Sequence, residues 1–414
     1  MMVSLPTLPM PPQPPGRSTP AAPLLRPAAL PAAHVPGLYV HVPFCFHKCH
    51  YCDFYSITRQ TEERMEAYVD RVLREAGFWA EGIARPVLRP RTVFFGGGTP
   101  TLLPLPAMRR LLEGLRQRFD FSGLEEWTVE ANPATVTAEY CRMLREAGVD
   151  RISFGAQSFS PSELKVLERH HDPADVARSI ALARQAGFRR INVDLIYAIP
   201  GQDMASWQRS LEAAIALGTD HISCYGLTYE PNTPIAVKRR LGQLTATEES
   251  IELAMFHRTR RRLAGAGLPA YEISNYAAPG EECRHNLLYW RGEGYIGLGP
   301  SAASHVQGWR WRNAPHLGEW EQAIDAGRLA AADVETLSPR RRAGELAMLM
   351  LRLSEGIKFD DFAARTGYEA RAIYADQMAR LGGVGLLDVG AEGVRLTQAG
   401  LNVADAVAAE FLEV

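Results

Sequence analysis

From Gly37 onward, short apolar runs rich in β-branched and aromatic residues alternate with longer stretches in which apolar positions recur every three or four residues. The short runs read as strands: "GLYVHVPF" (37–44), "RTVFFGGG" (91–98), "EWTVEANP" (126–133), "RISFGAQSF" (151–159), "INVDLIYAIP" (191–200) and "HISCYGLTYE" (221–230). Helices are expected between them, at "TEERMEAYVDRVLREAGFWAEGI", "PAMRRLLEGLRQRF", "AEYCRMLREAG", "PADVARSIALARQAGF" and "MASWQRSLEAAIALG". Three of these helices end on a glycine (Gly148, Gly187, Gly218) placed as a C-terminal cap just ahead of the next strand. Continuous apolar strands separated by helices imply parallel strands joined by right-handed crossovers. About six such units suit an α/β fold built as a partial (β/α)6 TIM-like barrel, with a doubly wound open sheet as the alternative.

Near residue 335 the pattern changes. Helical stretches "PRRRAGELAMLMLRLSEG", "KFDDFAARTG" and "EARAIYADQMARLGG" precede a short hairpin, "LLDVGAEGVRLT", and a last helix. The order suggests a small helical, winged-helix-like domain over 335–414. DNA binding is its obvious use, but these residues carry 9 basic against 12 acidic side chains, a poor match to a phosphate backbone. A packing or substrate-covering role fits better. At the other end, residues 1–36 hold 11 of the 28 prolines, lack hydrophobic periodicity and read as a disordered tail. The expected organisation is therefore a tail (1–36), a barrel (37–270), a connecting segment and linker (271–334) and the C-terminal domain (335–414).

Composition narrows the class without naming it. The chain has 414 residues, 46% of them apolar and 22% charged, as a globular protein with a sizeable core would. A formal net charge of −2 gives no electrostatic case for nucleic acid or an anionic membrane surface. No apolar run approaches the roughly 18 residues of a membrane helix, and "MMVSLPTLPM" lacks the basic start of a secretory signal, so a cytoplasmic protein is expected.

Six cysteines are too few for a disulfide framework, yet three fall within eight residues: Cys45, Cys49 and Cys52 in "HVPFCFHKCHYCDFYS". Cys141 and Cys224 read as buried small hydrophobes. Three thiolates make an incomplete site. His41, His47 or His50 would complete a structural zinc centre, whereas a [4Fe–4S] cluster held by three cysteines would keep one iron open. Spacing alone leaves both open. The strand ends add "GGGTPT" (96–101), Glu130, Gln157 and Asp194, where a barrel of this type builds its site. Gly96, Gly97 and Gly98 let the backbone approach a ligand and offer N–H groups to a carboxylate. An acid at a strand end suits ribose hydroxyls, and Arg169 suits a carboxylate. Each has a plainer reading as well: Gln157 and Asp194 as strand-end hydrogen bonders, Arg169 as a helix surface residue.

At this point the sequence resembles a known family. "C-x3-C-x2-C" with Tyr51 inside it, followed by "GGGTPT", is similar to the radical S-adenosylmethionine (SAM) superfamily. Within that, "LYVHVPFC", "EANP", "RISFGAQSF", "NVDLIYAIPGQ" and "RHNLLYW" resemble the group of oxygen-independent coproporphyrinogen dehydrogenases and HemW-like heme chaperones. The resemblance implies that Cys45, Cys49 and Cys52 hold a [4Fe–4S] cluster whose fourth iron is chelated by SAM. It implies that the reduced cluster passes an electron to the sulfonium, giving methionine and a 5′-deoxyadenosyl radical. It further implies that Tyr39, Tyr51, Gly97, Gly98, Thr99, Glu130, Gln157, Arg169 and Asp194 line that cofactor. Phe54 stands where the dehydrogenase pattern has a fourth cysteine, and the Pro-rich tail replaces that enzyme's ordered N-terminal segment. Both departures favour the heme chaperone, with the dehydrogenase and a zinc-stabilised module as alternatives. In the chaperone group "H-N-x-x-Y-W" is associated with heme, so His285 is the candidate axial ligand, Tyr289 and Trp290 can cover a macrocycle, and Cys283 is a competing ligand. The implied partners are heme, a heme donor and heme-acceptor proteins, membrane respiratory proteins being one class of acceptor. The resemblance leaves open whether SAM is cleaved or only bound.

Overall fold

A computed structural model describes residues 30–80 and 87–412. In chain order the barrel elements begin with β1 (His34–Val42), α1 (Glu62–Ala80), β2 (Val87–Gly97), α2 (Leu105–Arg118), β3 (Glu126–Ala131) and α3 (Ala138–Glu146). They continue with β4 (Arg151–Gln157), α4 (Pro161–Val166), α5 (Pro173–Gln185), β5 (Arg190–Tyr197), α6 (Met204–Ala216), β6 (His221–Gly226), α7 (Pro234–Arg240) and α8 (Glu249–Ala264). Next come β7 (Asn275–Ala277), α9 (Arg284–Trp290), β8 (Tyr295–Leu298), β9 (Ala303–Val306), β10 (Trp309–Asn313), α10 (Leu317–Asp325) and β11 (Ala331–Thr336). The expected βα repeats are present: each of β1 to β6 is followed by at least one helix.

Local chemistry explains the boundaries. Thr137 caps α3, Asp203 caps α6, and Asp172 and Asp175 form a reciprocal capping box on α5. Gly148, Gly187 and Gly218 follow α3, α5 and α6 with φ of 94°, 91° and 64°, the left-handed turn that a residue without Cβ makes cheaply. All but the first residue of β5 are buried, as a strand covered on both faces should be.

The chain forms two compact units. One runs up to His47 and adds Phe54–Leu124 and Tyr295–Thr336. Its strands lie in the order β11-β10-β9-β8-β1-β2, parallel at β8/β1/β2 and antiparallel beyond β8. Val40, Val42, Val93 and Phe95 from the sheet and Tyr68, Val69 and Val72 from α1 are wholly buried. The other unit comprises Lys48–Asp53, Glu125–Gly294 and the chain from Leu337. Its strands run β3-β4-β5-β6 in parallel, closed by antiparallel β7. To it belong α11 (Pro339–Met350), β12 (Ile357–Lys358), α12 (Phe359–Thr366), α13 (Ala370–Ile373), α14 (Ala375–Gly383), β13 (Leu387–Val389), β14 (Gly393–Leu396), α15 (Gln398–Leu401) and α16 (Ala404–Ala409). These last elements gather around Ala347, Phe362, Tyr374, Leu381, Val394 and Phe411, with a small β12-β14-β13 sheet.

Three expectations need correction. β1 begins at His34, paired with Val87, so residues 34–36 are strand; the expected tail up to residue 29 lies outside the described residues. Residues 271–334 are not a separate linker: β8 pairs with β1 from Gly37↔Tyr295 onward, which covers a strand edge that would otherwise leave its N–H and C=O groups unpaired. The helix expected over 369–383 is broken at Tyr374, whose side chain turns into the core of the C-terminal elements.

Candidate functional site

In the first unit, the turn after β2 is folded back against the Cys45 loop by backbone hydrogen bonds. The N–H of Gly98 donates to Val42 O (2.8 Å), that of Thr99 to Phe44 O (2.7 Å), and that of Cys45 to Ile57 O (2.9 Å). This corrects one expectation: the Gly98 N–H is held by Val42 and is not offered to a ligand carboxylate. The glycines serve close approach instead. A Cβ on Gly98 would lie 2.6 Å from Phe44 O, and one on Gly97 (φ 104°) would lie 2.5 Å from the His41 ring. Cys45 Sγ sits 3.8 Å from Thr99 Oγ1. The His41 ring is buried. Its Nε2 donates to Tyr55 O (2.8 Å), so its Nδ1 accepts from the Tyr39 hydroxyl (3.0 Å). Burial pushes His41 down to about 4, against the pull of the Tyr55 carbonyl.

In the second unit, Lys48–Asp53 is pinned at His50, whose N–H donates to Leu167 O (3.2 Å) and whose carbonyl accepts from Ile235 N–H (3.0 Å). Arg169 lies just beyond α4 and is half-buried, not a helix surface residue. Its guanidinium donates to Gly155 O, and its Nη1 is 3.7 Å from Cys49 Sγ, a neighbour that favours the thiolate. Tyr51 is buried between Cys49 and Cys52 in sequence. Burial, reinforced by the Cys49 charge, holds its phenol well above the ordinary range. All six cysteines are free of disulfides. Among the described residues, no three His, Cys, Asp or Glu side chains surround a common point as they would a single metal ion.

The strand ends carry the remaining candidates. Gln157 closes β4 with φ 65°, a left-handed conformation uncommon for a side-chain-bearing residue, and its buried Oε1 has no hydrogen-bond partner among the described residues. Asp194 is buried on β5 and accepts from Ser153 Oγ (3.0 Å) and Asn192 Nδ2 (2.8 Å). Glu130 is half-buried on β3. Gln157 thus combines an uncommon backbone conformation with an orphaned buried acceptor.

His285 lies elsewhere. It stands on α9 rather than in a loop, fully buried, with its Nε2 2.9 Å from the Tyr289 hydroxyl and its N–H donating to Glu126 Oε1 (3.1 Å). Burial, partly offset by Glu126, pushes it down to about 3, so the ring is neutral. Cys283 donates its thiol to the same carboxylate (3.2 Å); burial and then Glu126 hold that thiol well up. Glu126 also pairs with Arg151 (3.0 Å), and both are buried. Burial alone would raise Glu126, but Arg151 and the N–H groups of His285 and Arg284 hold it below the usual carboxylate range. Glu126 and Arg151 are the first residues of β3 and β4, whereas Gln157 is the last of β4, about 20 Å along the strand at roughly 3.3 Å per residue. The two groups of candidates thus occupy opposite ends of the parallel strands.

The radical SAM superfamily model matches residues 39–214, and that of the HemN C-terminal domain matches 337–403. The fold is a radical SAM partial barrel with a C-terminal helical domain. It matches coproporphyrinogen III oxidase (HemN) from Escherichia coli with a TM-score of 0.81 at 23% identity, covering 94% of this chain and 92% of that one. Heme chaperone HemW of Mycobacterium tuberculosis is 34% identical over 394 residues, 94% of this chain and 98% of the relative. That of Bacillus subtilis is 32% identical, covering 90% and 98%, and that of Escherichia coli 40% identical over 65% and 70%. The chain belongs to the HemW family.

Proposed function

We propose that this protein binds heme and passes it to acceptor proteins, and that it carries a [4Fe–4S] cluster and SAM. The observation that carries the reading is the near end-to-end likeness to proteins named heme chaperone HemW. The donor chemistry fits: Cys45, Cys49 and Cys52 form no disulfide and are soft ligands, and Arg169 stands beside Cys49. When bound, the cluster and SAM supply one-electron chemistry. Gly97 and Gly98 let the turn after β2 pack against the Cys45 loop, and Tyr39, Tyr51, Gly97, Gly98, Thr99, Glu130, Gln157, Arg169 and Asp194 are the residues we assign to SAM. The neutral ring of His285 suits heme iron, and coordination would exchange its Tyr289 hydrogen bond for the metal.

A second reading, coproporphyrinogen oxidation, draws on the HemN-like fold alone. The deciding experiment uses anaerobically reconstituted full-length protein. Hemin is titrated by Soret absorption, iron and sulfide are assayed, and coproporphyrinogen III turnover is followed. Stoichiometric hemin binding without decarboxylation is expected; robust turnover would replace this reading with the second. Cys49→Ala should lose the cluster, and zinc in its place would favour a structural module. His285→Ala should lose the low-spin heme spectrum and keep the cluster, whereas an unchanged titration would move the ligand elsewhere.

A further inference from the structure

A file of polar side chains runs through the second unit from α9 to Asp194. Asn286 Nδ2 lies 3.4 Å from the Tyr271 hydroxyl, and that hydroxyl lies 3.0 Å from His221 Nε2. His221 Nδ1 is 2.6 Å from Asn192 Oδ1, and Asn192 Nδ2 is 2.8 Å from Asp194 Oδ1. Asn192, Asp194 and His221 are each at most 5% exposed.

The donors all point one way. A carboxylate only accepts, so Asn192 must turn its NH2 toward Asp194; the same NH2 donates to Ser153 Oγ (2.8 Å), whose hydroxyl donates on to Asp194 Oδ2. Asn192 Oδ1 therefore faces His221, with Ser223 Oγ as a second donor at 3.2 Å. An amide oxygen cannot donate, so His221 carries its proton on Nδ1 and accepts on Nε2. Tyr271 then has to donate to His221, and its oxygen receives the Asn286 N–H. Every orientation follows from Asp194. Buried hydrogen bonds in series polarise one another, and one missing donor leaves a buried acceptor unsatisfied. Apolar side chains would fill this space without that exposure to failure, so the polar file is a device for holding a direction.

We propose that Tyr271, His221 and Asn192 are positioning residues that fix the Asp194 carboxylate for SAM, and that they tie it to Asn286, the neighbour of His285. This rests on Asp194 being a SAM-binding residue, as proposed above. It gives the heme-associated helix and the opposite end of the strands a physical connection.

The test measures SAM affinity by calorimetry on anaerobically reconstituted full-length protein, with cluster content and thermal midpoint checked on each sample. Asp194→Asn sets the full loss. Tyr271→Phe removes one oxygen and keeps the ring; it should weaken SAM binding about three- to tenfold, the range one hydrogen bond allows. Asn286→Ala acts through the longest link, so its effect should be smaller but in the same direction. The double variant should be no weaker than Tyr271→Phe alone, because both cut the same file. Imidazole ¹⁵N shifts should show His221 as the Nδ1–H tautomer in the wild type and also in Tyr271→Phe, where the Asn192 oxygen still holds that proton, while the Nε2 shift moves as its donor is lost, a pattern that mere packing damage would not produce. SAM affinity within twofold of wild type in both single variants, with Asp194→Asn weakened, would overturn the file alone. Wild-type affinity in Asp194→Asn would overturn the assignment of Asp194 and this proposal with it. Hemin binding is not part of the readout, so failure of the heme reading is seen separately.

Discussion

Glu75 is a carboxylate with no cation beside it among its hydrogen-bond partners. Fully buried on α1, it accepts from Gly299 N–H (2.7 Å), Asn313 Nδ2 (2.7 Å) and Trp320 Nε1 (3.1 Å). Burial pushes it up to about 8 against those three donors, from 4.5. A raised carboxyl contributes stability below pH 4.5 that is lost as pH climbs toward 8. The buried histidines act in the other direction. His41 and His285 are pushed down from 6.5, to about 4 and about 3, so the folded chain refuses protons that the unfolded chain accepts. Their contribution is intact above pH 6.5 and is lost as pH falls through that window toward 4. Denaturant unfolding against pH checks both. Wild type should lose stability below about pH 6.5, and its advantage over Glu75→Gln should shrink as pH rises from about 5 to 8. A constant difference between the two proteins would show that Glu75 does not titrate in that range. Glu75 did not stand out in the sequence, because what makes it unusual is its partners 224 to 245 residues away.

At the scale of elements, α9 is held at both ends. The Glu126–Arg151 pair grips its start through Cys283 and His285, and Arg151 also donates to Glu281 O (2.9 Å). At its other end Arg291 pairs with Glu355 (3.2 Å), and the Arg352 guanidinium lies over the Trp290 ring at 5.0 Å. Removing one member of a buried pair strands the other as an uncompensated charge, at a cost of about 3–5 kcal/mol. Arg151→Met should therefore lower unfolding stability by that order. It should also speed hydrogen exchange across residues 284–290, while exchange in α5 stays unchanged apart from the global loss. Equal change in both helices would mean that the pair supports the fold at large and does not hold α9 in particular. The motif "RHNLLYW" was visible as a string, but its helical state was not: seven residues are too few to form a helix on periodicity alone, and contacts at the two ends supply what propensity lacks.

For the whole molecule, charge argues against one tempting use of the C-terminal elements. With 9 basic and 12 acidic side chains over 335–414, an electrophoretic mobility assay with a 30-bp duplex (about three helical turns) at physiological salt should show binding no tighter than about 10⁻⁴ M. Micromolar, salt-dependent binding would revive DNA recognition. The strands and helices of the barrel were legible from the sequence because their signals are local: apolar runs, caps such as Asp172, and glycines such as Gly148 at a required left-handed turn. The cysteine cluster and "GGGTPT" were legible because spacing within a few residues limits what chemistry they can do. Tertiary structure alone decided that β8 to β11 join β1, that the Gly98 N–H is spent on Val42, and that Gln157 is left with an orphaned oxygen. It alone aligned Asn286, Tyr271, His221 and Asn192 on Asp194, residues far apart along the chain. A hydrogen bond is set by direction and distance between atoms, and once partners are far apart in sequence, only the fold determines either.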